Sequence, residues 1–244
     1  MVSIGRSIRW YNGFHEEVAF SKEHGFDFMQ IWFRDGNLLV NGLPDPKEEH
    51  IKDCGYPVII HAVFDPSDFD QYGDALIHLL QYLNHKEVII HPVCKKESIS
   101  ENTEMLLAEK VKVFSHKAKS SGIVFYLENN SVIDGLHCKK EELQIVYEID
   151  SYVEQLLDVA HVESYEHLQQ VISVKFPKCL HVAGKHFKVP HEHLPLTQGD
   201  IDYKLVFQQY LQGFDGKIIL EVDGTDEEII ASKRVIDKAV SLVK

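Results

Sequence analysis

The chain has 244 residues, 44% hydrophobic and 26% charged, a balance that suits two small domains or one of the larger single-core kind. A count of 25 Lys and Arg against 38 Asp and Glu leaves a formal charge of −13, with 15 His outside that sum. Such an acidic total argues against a broad, sequence-independent grip on nucleic acid, which needs a basic face to displace counterions.

No apolar run approaches the roughly eighteen residues of a membrane-spanning helix, so no membrane partner is expected. Met1–Arg6 lacks the apolar stretch of a secretion leader. Cys54, Cys94, Cys138 and Cys179 stand far apart with no CxxC pair, so reduced thiols and a cytoplasmic location are expected.

Short apolar, β-branched runs alternate with amphipathic stretches from end to end. The expected strands are Val2–Ile8, Phe26–Trp32, Pro57–His61, Glu87–His91, Ile123–Glu128, Glu154–Asp158, Cys179–Val182 and Lys217–Val222. Helical patterns run over Glu16–His24, Asp68–Leu83, Asn102–Ser120, Glu141–Ile149, Ser164–Ser173, Ile201–Gln212 and Asp226–Leu242. In the third of these, Leu106, Leu107, Val111 and Phe114 recur at helical spacing and form one buried stripe.

One strand per about 30 residues is the size of a βα unit, and eight such units predict an α/β fold, a single (β/α)8 TIM barrel over residues 1–244. An open doubly wound sheet would need a glycine-rich phosphate turn after its first strand, and Gly5-Arg6-Ser7-Ile8 is not one. No linker or low-complexity tract divides the chain.

Six successive apolar runs stop on a polar, ionisable group. They are Val58-Ile59-Ile60-His61, Val88-Ile89-Ile90-His91, Phe125-Tyr126-Leu127-Glu128, Leu156-Leu157-Asp158 (with His161 three residues on), Cys179-Leu180-His181 and Ile218-Ile219-Leu220-Glu221. Any one of them is ordinarily a hydrogen-bonded boundary residue. In a barrel, however, these ends converge on one face, and burying several carboxylates and imidazoles together costs heavily unless a cation pairs them. His and carboxylate without thiolate suits a divalent ion such as Zn2+, Mn2+ or Co2+. After the seventh strand, His191-Glu192-His193 places two imidazoles on one side of an extended segment. That pair is either a further metal position or a lid over the first.

The motifs Leu127-Glu128-Asn129, Leu157-Asp158-Val159-Ala160-His161, His181, Gly199-Asp200-Ile201-Asp202 and Leu220-Glu221 resemble, in order, those of the xylose isomerase-like TIM barrel superfamily. That superfamily joins sugar (phosphate) isomerases and epimerases with the endonuclease IV-type abasic-site nucleases (AP endonuclease family 2). In the isomerase branch, the resemblance implies one divalent metal held by Glu128, Asp158, His181 and Glu221. Glu128 and Glu221 are then the acid/base pair, and His161 binds a substrate hydroxyl. In the endonuclease branch it implies up to three metals, with His61, His91, His161 and His193 as added ligands and His191 where that branch has Asp.

The epimerase pattern also carries a Glu and an Arg at the positions here held by Asp134 and Phe187. The loop Ala62–Ser67 is short for one that enters a DNA groove, and arginine is scarce. The expectation is therefore a zinc- or manganese-dependent isomerase or epimerase acting on a small sugar-like or phosphorylated substrate. A multinuclear phosphodiesterase acting on abasic DNA or another phosphoester is the alternative, and a metal-binding barrel without turnover is the third reading. Lys95, Lys185 and Lys188, with Lys96 nearby, are the candidate phosphate holders, and a homodimer is the default assembly.

Overall fold

A computed structural model describes residues 2–242. The apolar runs form strands and each is followed by a helix, as their covered, β-branched character requires. The barrel strands are β1 (Ser3–Ser7), β2 (Phe28–Arg34), β4 (Val58–Phe64), β5 (Glu87–Pro92), β6 (Val124–Glu128), β7 (Glu154–Asp158), β8 (Cys179–Val182) and β9 (Lys217–Leu220). They pair in parallel in the order β1-β9-β8-β7-β6-β5-β4-β2, and β1 pairs β2 to close the ring. The result is the expected (β/α)8 barrel, with an antiparallel strand β3 (Asn37–Leu39) added to the end of β2.

The outer ring is α1 (Phe14–Glu23), α2 (Lys47–Cys54), α3 (Pro66–Leu83), α4 (Thr103–Ser120), α5 (Lys140–Ile149), α6 (Tyr165–Val174), α7 (Tyr203–Leu205) and α8 (Asp226–Ser241). Helix α2 escapes a periodicity reading because Ile51 is its one buried side chain, so it has no apolar stripe. The sixth helical pattern, expected over Ile201–Gln212, is instead the single turn α7 continued by a wider π turn over Val206–Tyr210, which buries Val206 and Phe207. Helix starts follow their local chemistry. Ser164 caps α6 by accepting from His167 N, and Thr225 caps α8 by accepting from Glu228 N. Among the described residues, no helix is long and apolar enough to cross a membrane.

The barrel interior is filled in layers set by the two-residue pleat. One layer consists of Phe28, Ile59, Ile89, Tyr126, Leu156, Cys179 and Ile219, all buried and in contact. On the remaining strand, β1, the matching position is Gly5, where a Cβ would lie 2.5 Å from the Phe28 ring. Glycine there lets the phenylalanine cross the barrel.

Candidate metal centre

Two residues further along each strand, the same inward line reads Ser7, Gln30, His61, His91, Glu128, Asp158, His181 and Glu221. Every sequence-predicted strand-end ligand is therefore in one ring above the apolar layer, at the face where barrel active sites form. His61 is not at the end of its strand: β4 runs on through Ala62 and Val63 to Phe64, and His61 lies in register with Trp32 and Ile89. It faces the centre through pleat parity.

The ring and the histidines beside it form four groups, three overlapping and one separate, whose donor atoms lie within 4.8 Å of one another. They are Glu128, Asp158, His181 and Glu221; His61, His91 and Glu128; His61, His181 and Glu221; and His161, His191 and His193. Glu128 is the hub. Its Oε2 lies 2.9 Å from His61 Nε2 and 3.1 Å from His91 Nδ1, and its Oε1 is 3.0 Å from His181 Nδ1.

The next shell fixes ring orientation. His161 Nδ1 faces the Asn129 carbonyl at 2.8 Å, His193 Nδ1 the Glu221 carbonyl at 3.0 Å, and His181 Nε2 the Gln30 Oε1 at 2.7 Å. In His161 and His193 that bond engages Nδ1 and leaves Nε2 uncommitted, whereas in His181 both nitrogens are engaged, Nε2 by Gln30 and Nδ1 by Glu128. Gln30 also donates from Nε2 to Glu221 Oε1 at 2.9 Å, so one amide orients two ligands. Asp158 is held by Ala160 N on Oδ1 and by the exchange of its backbone with the Asn129 side chain.

His161 sits in the short 3-10 turn Val159–His161 that follows β7. His191 and His193 arrive on the loop after β8, which is folded back by the Gly184–Leu194 bridge. A Cβ on Gly184 would meet the Pro195 carbonyl at 2.4 Å, so this closure depends on glycine. The His191 ring stacks 5.1 Å from His161 and lies 4.8 Å from His193.

His61 Nδ1, Asp158 Oδ2 and His161 Nε2 are buried and have no hydrogen-bond partner, although all three belong to this ring. Buried acceptors are normally satisfied, and leaving them bare costs about 1–3 kcal/mol each. All nine sequence-predicted ligands are present and three point bare lone pairs at the centre, so the donor set fits a divalent cation.

Electrostatics agrees. Burial pushes the Glu128 carboxyl up, but His91, His181 and His61 outweigh it and hold it well below the ordinary range. Burial depresses His181, yet Glu221 and Glu128 raise it well above a free imidazole. Asp158 is likewise held low against burial by His161 and His181. The carboxylates thus favour a positive charge on His181 and His91, while burial disfavours one on His61, and a bound cation would compete with those protons.

The lysines divide. Lys95 lines the cavity above the ring. Lys185 does not: it is buried, and its Nζ donates 2.8 Å to the Val162 carbonyl, bracing the loop that follows β7. Lys188 is exposed outside the cavity lining, and Lys96 is spent on Asp68 and Asp35. Helical or loop position does not reveal where an ammonium turns, so the sequence could not separate these four. Gln30 and Asn129 were missed as orienting groups. The signal for Gln30 was there in Phe28-Met29-Gln30-Ile31-Trp32, where period two puts the lone polar residue on the inward side.

The solved structure of a D-tagatose 3-epimerase-like protein superposes with a TM-score of 0.78 at 18% identity, covering 99% of this chain and 98% of that one. A xylose isomerase domain containing protein from Salmonella typhimurium superposes at 0.72 with 15% identity, over 98% and 96% of the two chains. The chain has the (β/α)8 barrel fold of these structures. The IolI protein, solved with a zinc atom, shares this barrel at a TM-score of 0.74 and 16% identity over 99% of each chain. At the sequence level no family model and no curated protein matches. Departures from the epimerase pattern are plain in this barrel: Asp134 accepts from Ser131 Oγ at the cavity rim, and Phe187 packs edge-on against Tyr165 outside the cavity lining.

Proposed function

We propose that the protein is a divalent-metal enzyme that moves a proton on a small, sugar-like substrate, an isomerase or epimerase in reaction type. The observation that carries this reading is the convergence of Glu128, Asp158, His181 and Glu221 beneath an open cavity of about 550 Å³. Neighbours of epimerase and isomerase type support it. Zinc or manganese fits the donor set.

When bound, the cation supplies Lewis acidity that polarises a substrate carbonyl or hydroxyl and eases loss of the adjacent proton. The chain's own groups divide the rest. Glu128 is pinned by three imidazoles and its side chain is 1% exposed, so it serves as a ligand before it serves as a base. The Glu221 side chain is 11% exposed and lines the cavity, with Oε1 held by Gln30 and Oε2 3.3 Å from His181. It is the group placed to take the proton. His161 turns Nε2 toward Asp158, which suits a ligand better than a hydroxyl binder. Four cysteines without disulfide partners support a reducing, cytoplasmic setting.

The test is exchange of substrate carbon-bound hydrogen for deuterium in heavy water, scanned over ketoses and their phosphates. Metal-loaded protein exchanges, and Glu221→Gln does not while also holding metal less well. Full exchange by that variant refutes the assignment. One observation favours a second reading, phosphoester hydrolysis: the His61/His91/Glu128 and His161/His191/His193 groups adjoin the first. Two or three metals per chain, with cleavage of bis(p-nitrophenyl) phosphate, decides for hydrolysis. A single metal without cleavage, together with exchange, decides for proton transfer, and the same metal without exchange decides for a binding barrel without turnover.

A further inference from the structure

The inward lines of the barrel continue past the ligand ring. On β2 the line runs Phe28, Gln30, Trp32, Arg34, and from β5 it runs Ile89, His91, Val93, Lys95. Both read apolar floor, polar ring, apolar step, cation. All the members above the floor except buried Gln30 line the same cavity. Between them β4 contributes His61 and then Val63, and the Trp32 ring lies 4.4 Å from that of His61. The two tryptophans of the chain, Trp10 and Trp32, both stand in this cavity. At its rim Trp10 is 72% exposed, Ile133 61% and Leu39 45%. Isolated exposed apolar residues are ordinary, but several on one rim mark a binding face.

This collar does not suit a bare polyol. Each hydroxyl taken from water needs a partner, and above the imidazoles and carboxylates of the centre the uncharged partners in the lining are Ser7 and the indole N–H groups of Trp10 and Trp32. Of the cations there, Arg9 is consumed by Glu17 and Asp226. Among the described residues, the Arg34 and Lys95 side chains have no ionic or hydrogen-bond partner, unlike Lys96 beside them. Asp134 and Asp223 share this lining, so Arg34 and Lys95 are the two unspent cations in it to which an anion can bind directly.

We propose that the substrate is a sugar conjugate with a planar, anionic aglycone: its oxygen-rich head lies on the ligand ring, its planar body against Trp10 and Trp32, and its negative group at Arg34 and Lys95. This rests on the proposed small-molecule reading of the ring, but the collar can be tested apart from it. The probe is p-toluenesulfonate, planar and anionic yet a poor metal ligand, with quenching of the two cavity tryptophans as the readout. Methanesulfonate supplies the charge without the ring, and 4-methylbenzyl alcohol the ring without the charge.

Toluenesulfonate is expected to quench saturably and to bind about tenfold or more tighter than either control. Trp10→Ala and the double variant Arg34→Ala/Lys95→Ala should each weaken it about tenfold. All three side chains are exposed, so these changes leave the core intact. Equal affinity for the uncharged ring, or unchanged affinity in the double variant, overturns the proposal. So does a dimer in sedimentation that excludes the probe until Trp10→Ala separates the copies, because a second chain then covers the collar. Binding that survives in Asp158→Asn while deuterium exchange is absent from every form leaves the collar standing and removes the proton-transfer reading instead.

Discussion

Two clusters of charge are buried in this barrel, and they are finished differently. Around Glu17 of α1 every charge is answered from within the chain. Arg6 donates to Glu17 Oε2 at 2.6 Å and to Ser21 Oγ at 2.9 Å, Arg9 donates to Oε1 from two nitrogens, Asn12 donates to Oε1 as well, and Asp226 pairs Arg9 from outside. In the ring above the barrel layer, Asp158 Oδ2, His61 Nδ1 and His161 Nε2 remain bare. The first cluster ties β1 to α1 and is complete in itself, although its Arg9 reaches the cavity lining. The second is incomplete toward a cavity. Buried charge alone does not mark a functional site, and neither does a lone unmatched atom such as Asp150 Oδ2; three unmatched atoms gathered beside a cavity carry the distinction.

The largest effect expected is in the closed cluster. Glu17→Ala leaves two buried guanidinium groups without their shared partner and should cost about 3–5 kcal/mol in urea unfolding, with metal content per folded chain unchanged. A loss under about 1 kcal/mol would dissolve the contrast. Next is metal removal. At a free metal concentration of 100 to 1,000 times Kd, chelation should withdraw about 3–4 kcal/mol, seen as a lower Tm. A chelator that moves nothing would make the ring as self-sufficient as the Glu17 cluster.

A pH series sharpens the comparison further. Burial raises Glu17, but hydrogen bonds from Arg9 and the charge of Arg6 outweigh it, so its native pKa lies below the ordinary 4.5. Its stabilisation is therefore complete above pH 4.5 and lost as pH falls through the depressed native value. The stability gap between the wild type and Glu17→Gln should be constant near neutrality and narrow on acidification below that point. The smallest effects belong to the lysines outside the cavity. Lys188→Ala should change stability by less than about 0.5 kcal/mol, and Lys185→Met by about 1–3 kcal/mol through the lost Val162 contact. Neither should shift the substrate KM in the exchange assay.

Much of this was legible because the information was periodic. Strand count, barrel closure and the ring of His61, His91, Glu128, Asp158, His181 and Glu221 all follow from apolar runs that end or alternate on inward positions. What escaped had no period to read. Helix α2 buries too little to show a stripe, the turn after Tyr203 widens to seat Val206 and Phe207, and Lys185 folds inward through its stem onto a carbonyl of a neighbouring loop. These are decided by tertiary packing. The collar was hidden differently. Trp32 and Arg34 continue the line of Gln30, but without the β2–β4 register nothing in the sequence brings them alongside Val63.

The Gly184–Leu194 bridge bears on how such a centre is inherited. Five of the candidate ligands ride on strands whose hydrogen-bond ladders hold the barrel shut, Glu221 directly follows β9, and His161 rides on the turn that follows β7. None can be exchanged without touching the frame. His191 and His193 ride on an appendage pinched at its neck by paired backbone bonds between residues 184 and 194. Cutting and replacing the chain between those two points adds or removes two imidazoles while every barrel ladder stays as it is. The donor count of the centre is in that sense a detachable trait, open to drift and to engineering on a scaffold that need not change.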